Sequence, residues 1–379
     1  MKIAFITHSD GMGGAERSST TSMEYLMDNN LISPEDCLLA CPRYLLKRFQ
    51  KVSSPDNDSY YDIKKKVKTE YWFLPFGLVY RGASEKIASK IYSAGMAFLS
   101  LLYFLMFYNR NLERNGVEVV HLNSITLWLL LLIIPNNITK VIHIRETVNG
   151  TLESRIAVKV INKYADKIIA IDKDCASPFP TAMIIQNPID MTEAIALRNH
   201  APTIKNELGI DSDKTVASFV GSISAAKGYN FFLTMVNRIE NKNIVFLIVG
   251  SEEYTHEYTD ALKRCSNVIL VGQQSNPSKF YAISDIVIRC ESYLPLGRTV
   301  WEGIYSGVVA LLPFNDTDDL EPIRPMIGKQ IILYNASDIN DCIKKIEYIQ
   351  RTLPLSDHRW FVSSNVSESS MLLKKELMG

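Results

Sequence analysis

Residues 1–17 read MKIAFITHSDGMGGAER. The run Lys2–Thr7 is short, apolar and β-branched without alternation, as a strand buried on both faces requires. Gly11, Gly13 and Gly14 then let the backbone turn tightly, and Ala15-Glu16-Arg17 opens a helix. The free N–H groups and partial positive charge of such a helix start suit a phosphate. The same order recurs at residues 215–228, TVASFVGSISAAKG: a buried strand, a glycine, a loop and a helix start at Lys227-Gly228.

Working outward, Cys37–Ala40, Val117–Leu122, Val141–Ile144 and Lys167–Ile171 complete a first strand series. Thr215–Val220, Ile244–Val249, Val268–Val271, Asp285–Ile288, Val308–Leu312 and Gln330–Leu333 form a second. Strands alternating with helical stretches predict a doubly wound α/β fold in two domains. The seam falls between Asn187-Pro188 and Ala201-Pro202-Thr203. The expected division is an N-terminal Rossmann-like domain at 1–190, a C-terminal one at 191–355, and a helical segment at 356–379 returning to the first.

The chain has 379 residues, 47% of them hydrophobic and 22% charged, with formal net charge zero. That composition excludes a disordered chain, and no basic excess points to nucleic acid. The six cysteines, Cys37, Cys41, Cys175, Cys265, Cys290 and Cys342, show no CxxC spacing and read as reduced thiols. Met1–His8 runs directly into a strand, so a cytoplasmic protein without a secretory signal is expected. Ile91–Tyr108 is almost entirely apolar, and residues 43–90 hold eleven Lys or Arg against five Asp or Glu. Three readings are open: a buried helix feeding Val117–Leu122; a helix in the interface of the inner face of the plasma membrane, with Lys64, Lys65, Lys66, Lys68, Lys86 and Lys90 on anionic headgroups; or a membrane span.

Three loops could carry chemistry. In the first, Glu16 occupies the third glycine position of a dinucleotide fingerprint, and no acidic residue ends the next strand, which argues against a nicotinamide cofactor. In the second, Lys227 can meet a diphosphate as a compact point charge; the bland alternative is a surface lysine. In the third, Pro295 to Gly303 (PLGRTVWEG), Gly297 allows a turn. The N–H groups of Arg298 and Thr299 begin a helix, and Glu302 can accept hydrogen bonds from vicinal hydroxyls. The bland alternative is a solvated Arg298–Glu302 i,i+4 pair.

GGAER at 13–17, VIHIRE at 141–146, ADKIIAID at 165–172, IQNPID at 185–190, GSISAAKG at 221–228, VGQ at 271–273, SDIVI at 284–288 and PLGRTVWEG at 295–303 together resemble the retaining GT-B glycosyltransferases of family four, the glycosyl transferases group 1. The resemblance implies two Rossmann-like domains whose parallel sheets face across a cleft. It implies transfer of a sugar from a nucleotide-sugar to a glycan or lipid-linked acceptor, as in bacterial lipopolysaccharide or capsule synthesis, beside other polysaccharide-assembly enzymes. No cofactor or metal is expected. By position, Lys227 would bind the diphosphate, Glu302 the ribose, and the backbone at Gly297, Arg298 and Thr299 the distal phosphate or sugar. The segment around Gly272 would meet the base, and Gly13 and Gly14 would face the diphosphate and acceptor.

Three positions depart from that pattern. Leu294 stands where the first glutamate of the family's pair is expected, with Glu291 three residues earlier. Ser222 replaces an arginine, and Arg298 is the candidate for the missing charge. Arg145, followed by Glu146, replaces a histidine near the sugar, for which His143 and His8 are the other candidates. These departures keep two further readings open: a catalytically impaired binding subunit that partners another transferase, and a nucleotide-sugar epimerase.

Overall fold

The computed structural model describes residues 1–9, 13–42, 59–72, 95, 98–99, 102–148, 150–251, 257–274, 276–291, 296–316, 320, 323–352 and 364–379. The chain divides into two compact units, Met1–Pro188 with Val366–Gly379, and Ile189–Asn365.

The first unit is built on a seven-stranded sheet of β1 (Lys2–Ile6), β2 (Cys37–Pro42), β3 (Lys68–Trp72), β4 (Val117–Leu122), β5 (Thr139–Ile144), β6 (Lys167–Ala170) and β7 (Met183–Ile184). Their order is β3-β2-β1-β4-β5-β6-β7, and neighbouring strands pair in parallel throughout. Alternate residues of β1 feed opposite cores: Ala4 and Ile6 join one, Ile3 and Phe5 the other. This two-sided burial is why the strands read as continuous apolar runs. The helix Val366–Met378 belongs to this unit; Leu373 and Leu377 are buried in the core shared with Met23 and Leu26 of the helix Gly14–Asp28.

The second unit holds β8 (Thr215–Val220), β9 (Ile244–Val249), β10 (Val268–Gly272), β11 (Ile286–Ile288), β12 (Val309–Phe314) and β13 (Ile331–Asn335), in the order β10-β9-β8-β11-β12-β13 and again parallel. The two parallel-sheet α/β domains expected from the sequence are present.

Two strands escaped the sequence reading. β3 lies in the basic stretch, and β7 is two residues long. Of the apolar stretch Ile91–Tyr108, residues 95, 98–99 and 102–108 are described and the rest lie outside the described residues. Phe104, Tyr108 and Leu112 are buried against Trp72 and the rest of the core, but Leu102, Tyr103, Leu105, Met106 and Phe107 are exposed. Among the described residues no helix is long and apolar enough to cross a membrane.

In each sheet the chain reverses its direction of travel once, between β1 and β4 and between β8 and β11. Loops leaving the carboxyl ends of such neighbouring strands diverge, and the crevice they leave is where doubly wound sheets bind ligands. The loops singled out in the sequence leave the sheets at these points.

Candidate functional site

At the β1/β4 reversal of the first unit, His8 follows β1, and its Nδ1 lies 3.2 Å from Oε1 of Glu16. Glu16 is 1% exposed. Burial pushes its carboxyl above the usual range against the pull of His8 and Arg145, and Glu146 adds to the rise. A Cβ at Gly13 would stand 2.6 Å from Glu16 Oε2, so a side chain there would have to push that carboxylate aside. Gly14 begins the helix with no atom that a Cβ would meet within 4 Å.

Arg145 leaves the end of β5, next to β4 in the sheet, and is held from several sides. Its Nε donates to Asn123 Oδ1 at 2.8 Å, and its NH1 donates to Asn187 Oδ1 at 2.5 Å. Its NH2 approaches His143 Nδ1 at 3.3 Å. Asn123 is itself fixed, donating to the Ala15 carbonyl at 3.1 Å. These contacts fix the Arg145 guanidinium in place at the end of the strand.

His143 lies beneath Arg145 and is not presented at the surface: it is 2% exposed, with Nδ1 3.3 Å from His121 Nε2. Burial and Arg145 push His121 down to about 3, and burial, Arg145 and His121 push His143 well below 6.5. Both rings are therefore neutral near pH 7, and an Nδ1 accepting from Arg145 puts the His143 proton on Nε2. Glu146 accepts from the Ser124 hydroxyl at 2.6 Å and from the N–H groups of Ile125 and Arg145 at 3.3 and 3.2 Å. It thus satisfies donors at the start of the short helix Ile125–Leu132, the task of a cap.

At the β8/β11 reversal of the second unit, the loop after β8 runs Gly221, Ser222, Ile223, Ser224 into the turn Ala225–Lys227. Gly228 has φ 71°, and a Cβ there would lie 2.0 Å from the Cys290 carbonyl oxygen. Only glycine lets this loop press on the backbone that follows β11. The contact brings Lys227 to Glu291, whose Oε1 it pairs with. The other oxygen of Glu291 lies 2.7 Å from Arg289 Nε. Lys227 is half exposed at 46%, while Arg289 and Glu291 are 6% and 8% exposed.

Beyond β11, Gly297 precedes the helix Arg298–Tyr305. Arg298 Nε donates to Glu302 Oε1 at 2.8 Å, and the Tyr281 hydroxyl donates to Glu302 Oε2 at 3.0 Å. The same hydroxyl lies 3.0 Å from the Thr299 carbonyl. Side-chain exposures of 12% and 3% make this a buried pair, in place of the solvated one considered from sequence. Arg298, expected to supply charge toward a diphosphate, points its Nε at Glu302. Gly303 holds the helix close to β11, since a Cβ there would meet Val287 Cγ1 at 2.5 Å. Gly272 ends β10, where its carbonyl accepts from the Gly250 N–H at 2.9 Å. Leu294 lies outside the described residues.

Within the second unit, the structure sets Ser222, Lys227, Gly297, Arg298, Thr299 and Glu302 on loops from adjacent strands at one edge of the sheet, with Gly272 at the same end of β10. Within the first it gathers His8, Gly13, Arg145 and Glu146. Sequence reasoning missed Asn123, Asn187, His121, Arg289 and Tyr281, and read Glu16 only as a failed glycine. Arg289 had a signal, because it directly follows the strand at the reversal. Tyr281 had none.

Comparison with known proteins fits this arrangement. Residues 201–315 match the family described as Glycosyl transferases group 1. Over 269 residues the chain is 25% identical to an uncharacterised glycosyltransferase, MJ1059, of Methanocaldococcus jannaschii, covering 65% of this chain and 63% of that protein. Over 108 residues it is 27% identical to the glycogen synthase of Aquifex aeolicus, covering 28% of this chain and 23% of the enzyme. The matches thus span less than two thirds of these relatives. Among solved structures, Anabaena Alr3699/HepE in complex with UDP and glucose superposes with a TM-score of 0.70 at 13% identity, covering 100% of this chain and 95% of that one. Residues 201–315 of the second unit are therefore similar to the glycosyl transferases group 1, in a chain whose two parallel-sheet α/β units have the GT-B fold.

Proposed function

We propose that the chain is a nucleotide-sugar-dependent glycosyltransferase that retains anomeric configuration and needs no metal. The observation that carries this reading is the edge at the β8/β11 reversal, inside the matched residues 201–315. There a half-exposed cation at 227 and a buried, doubly held carboxylate at 302 stand on facing loops. A diphosphate calls for the first and a ribose diol for the second.

Lys227 then meets the diphosphate, with Arg289 behind Glu291 as further positive charge. Glu302, oriented by Arg298 and Tyr281, accepts from the ribose hydroxyls. The first-turn N–H groups after Gly297 point at the distal phosphate or sugar, and the backbone beside Gly272 at the base. Preorganised cations and N–H groups stabilise the charge that develops on the leaving diphosphate, which is the term that dominates catalysis of this kind. The acceptor hydroxyl attacks from the leaving-group face and passes its proton to the departing phosphate oxygen. In the first unit, Arg145 and His8 are the groups offered to the acceptor, a glycan or a lipid-linked saccharide of bacterial surface polysaccharide. The enzyme works at the cytoplasmic face of the plasma membrane.

A thermal-shift panel of UDP-, GDP-, ADP- and dTDP-sugars tests the donor class. A nucleotide at one hundred times its Kd adds about 2.7 kcal/mol of stability. Lys227→Ala should abolish most of that gain while costing at most about 1 kcal/mol of basal stability, because the lysine is half exposed and Glu291 keeps Arg289. Sugar transfer should persist in EDTA. No response to any nucleotide would remove the reading. Ser222, with Lys227, Arg289 and Arg298 each already facing a carboxylate, favours the second reading, a binding subunit without catalysis. Transfer by the purified chain excludes it.

A further inference from the structure

Two histidines lie in a layer where apolar side chains would pack at least as well. His121 of β4 and His143 of β5 are 0% and 2% exposed. Around them Phe5, Val119, Val141 and Ile169 form one core with Met23 and Leu26. The Phe5 ring packs on His121 with centroids 5.4 Å apart. Among the described residues, neither His121 Nδ1 nor His143 Nε2 has a hydrogen-bond partner. A buried polar atom without a partner costs stability, so stability does not account for the pair.

Arg145 does account for it. Arg145 stands two residues beyond His143, so its side chain leaves on the same side of the sheet. Its NH2 approaches His143 Nδ1 at 3.3 Å. A guanidinium only donates, so Nδ1 is the acceptor and His143 carries its proton on Nε2. His121 Nε2 lies 3.3 Å from the same Nδ1. With Nδ1 bare, that contact is a hydrogen bond only when His121 Nε2 donates. One charged side chain thus dictates the tautomer of both rings. The two atoms left over, Nε2–H of His143 and Nδ1 of His121, are the two that lack partners.

The other nitrogens of Arg145 are held by amides. Nε donates to Asn123, which follows β4, and NH1 to Asn187, which follows β7. Those tethers come from either side of β5, whereas His143 reaches the guanidinium from within the core. A carboxylate at 143 would also hold it, but as an ion pair set into an apolar layer. An imidazole offers an acceptor without a charge.

We infer that His143, backed by His121, is a positioning residue: its bare Nδ1 fixes the Arg145 guanidinium at the carboxyl edge of the first sheet, and two unpaired buried nitrogens are kept for that purpose. The role toward a substrate rests on the glycosyltransferase reading, in which Arg145 meets the acceptor and neither ring touches it. The hydrogen-bonded chain stands without that reading.

Two measurements need no substrate. Long-range nitrogen–proton correlation spectra of the full chain at about pH 7.5 should show both rings protonated on Nε2 alone. A proton on His143 Nδ1 overturns the proposal. The double variant His121→Phe, His143→Leu should unfold in urea at the parent's midpoint or above it. Apolar groups then replace both partners of a buried hydrogen bond, and the half-buried Arg145 can turn its freed NH2 to water. A lowered midpoint means that the rings serve packing, and overturns it.

The third measurement is sugar transfer to octyl glucoside or water, from whichever donor the thermal-shift panel selects. The double variant should lower kcat/KM by about tenfold to a hundredfold, with nucleotide-induced stabilisation unchanged, as a loosened group does. His143→Asn, whose Oδ1 hangs from Cγ as Nδ1 does, should restore most of the rate that His143→Leu loses. In an Arg145→Gln background the histidine changes should cost nothing further, because they act through Arg145. Losses that add, or a Leu variant as active as the Asn one, overturn the role. A parent that transfers nothing overturns the enzyme reading and the role toward the acceptor with it; the proton positions and urea midpoints then decide the anchoring alone.

Discussion

Replacing Glu302 with alanine is the perturbation whose size the structure fixes best. Were Arg298–Glu302 a solvated helix pair, the loss would be about 0.3–0.5 kcal/mol. At 12% and 3% exposure the pair is buried, and Glu302 Oε2 also accepts from Tyr281, a fully buried side chain. Glu302→Ala therefore takes one acceptor from a largely buried guanidinium and one from the Tyr281 hydroxyl, which keeps the Thr299 carbonyl. Breaking a buried pair from one side costs about 3–5 kcal/mol. For a domain of this size each kcal/mol moves Tm by about 2–4 °C, so the transition of the second unit should fall by about 6–20 °C in calorimetry. Tyr281→Phe removes one hydrogen bond and should cost only about 0.5–1.5 kcal/mol. The double variant Arg298→Met, Glu302→Leu removes both charges and should be more stable than Glu302→Ala alone, because it also removes the cation that has lost its carboxylate. A fall below about 2 °C for Glu302→Ala would refute this reasoning, since a pair worth that little is a solvated one.

Acid should destabilise the first unit through its histidines. His121 is held down to about 3 in the folded chain against 6.5 unfolded, so its contribution is present above pH 6.5 and lost as pH falls toward 3. At pH 4.5 the loss is on the order of 2–3 kcal/mol. His143 acts in the same direction. Glu16, whose carboxyl is raised, acts oppositely as pH falls, and His121→Gln should flatten the slope seen in urea titrations at stepped pH. Gly228→Ala should cost at least about 2 kcal/mol by urea unfolding and blunt the nucleotide response, because φ 71° and the Cys290 carbonyl both exclude a Cβ. An unchanged midpoint would show that the two loops part without cost.

The parallel sheets were legible because strands covered on both faces leave continuous apolar runs, as in IAFI of β1 and IVFLIV of β9. β3 was not, since an edge strand is covered less completely: Lys68 and Tyr71 are exposed, and KTEYW reads as part of a charged stretch. Loops at strand ends were legible through glycine. Their partners were not, because Asn123, Asn187 and Tyr281 reach their contacts through strand register and helix packing, which no spacing in the chain records. The apolar run before β4 was ambiguous for a physical reason. Apolar residues all round a helix say that it leaves water, but not whether protein or lipid replaces the water.

On the proposed function, the ion pairs described at the second unit's edge set what a diphosphate meets there. Lys227 faces Glu291, and Arg298 faces Glu302. An incoming anion therefore finds neutralised pairs and must displace a carboxylate to gain a cation. The half-exposed Lys227 pair is worth at most about 1 kcal/mol, whereas the buried Arg298 pair is dearer to break. Exchange should take place at Lys227, leaving Arg298 and Tyr281 to hold Glu302 rigid for a diol. Glu291 then becomes the competitor of the phosphate. On this reasoning Glu291→Gln should tighten nucleotide binding at low salt and reduce its ionic-strength dependence less than Lys227→Ala does. If instead Glu291→Gln weakens binding as much as Lys227→Ala, then Glu291 positions the lysine and does not compete for it, and the order of exchange is wrong.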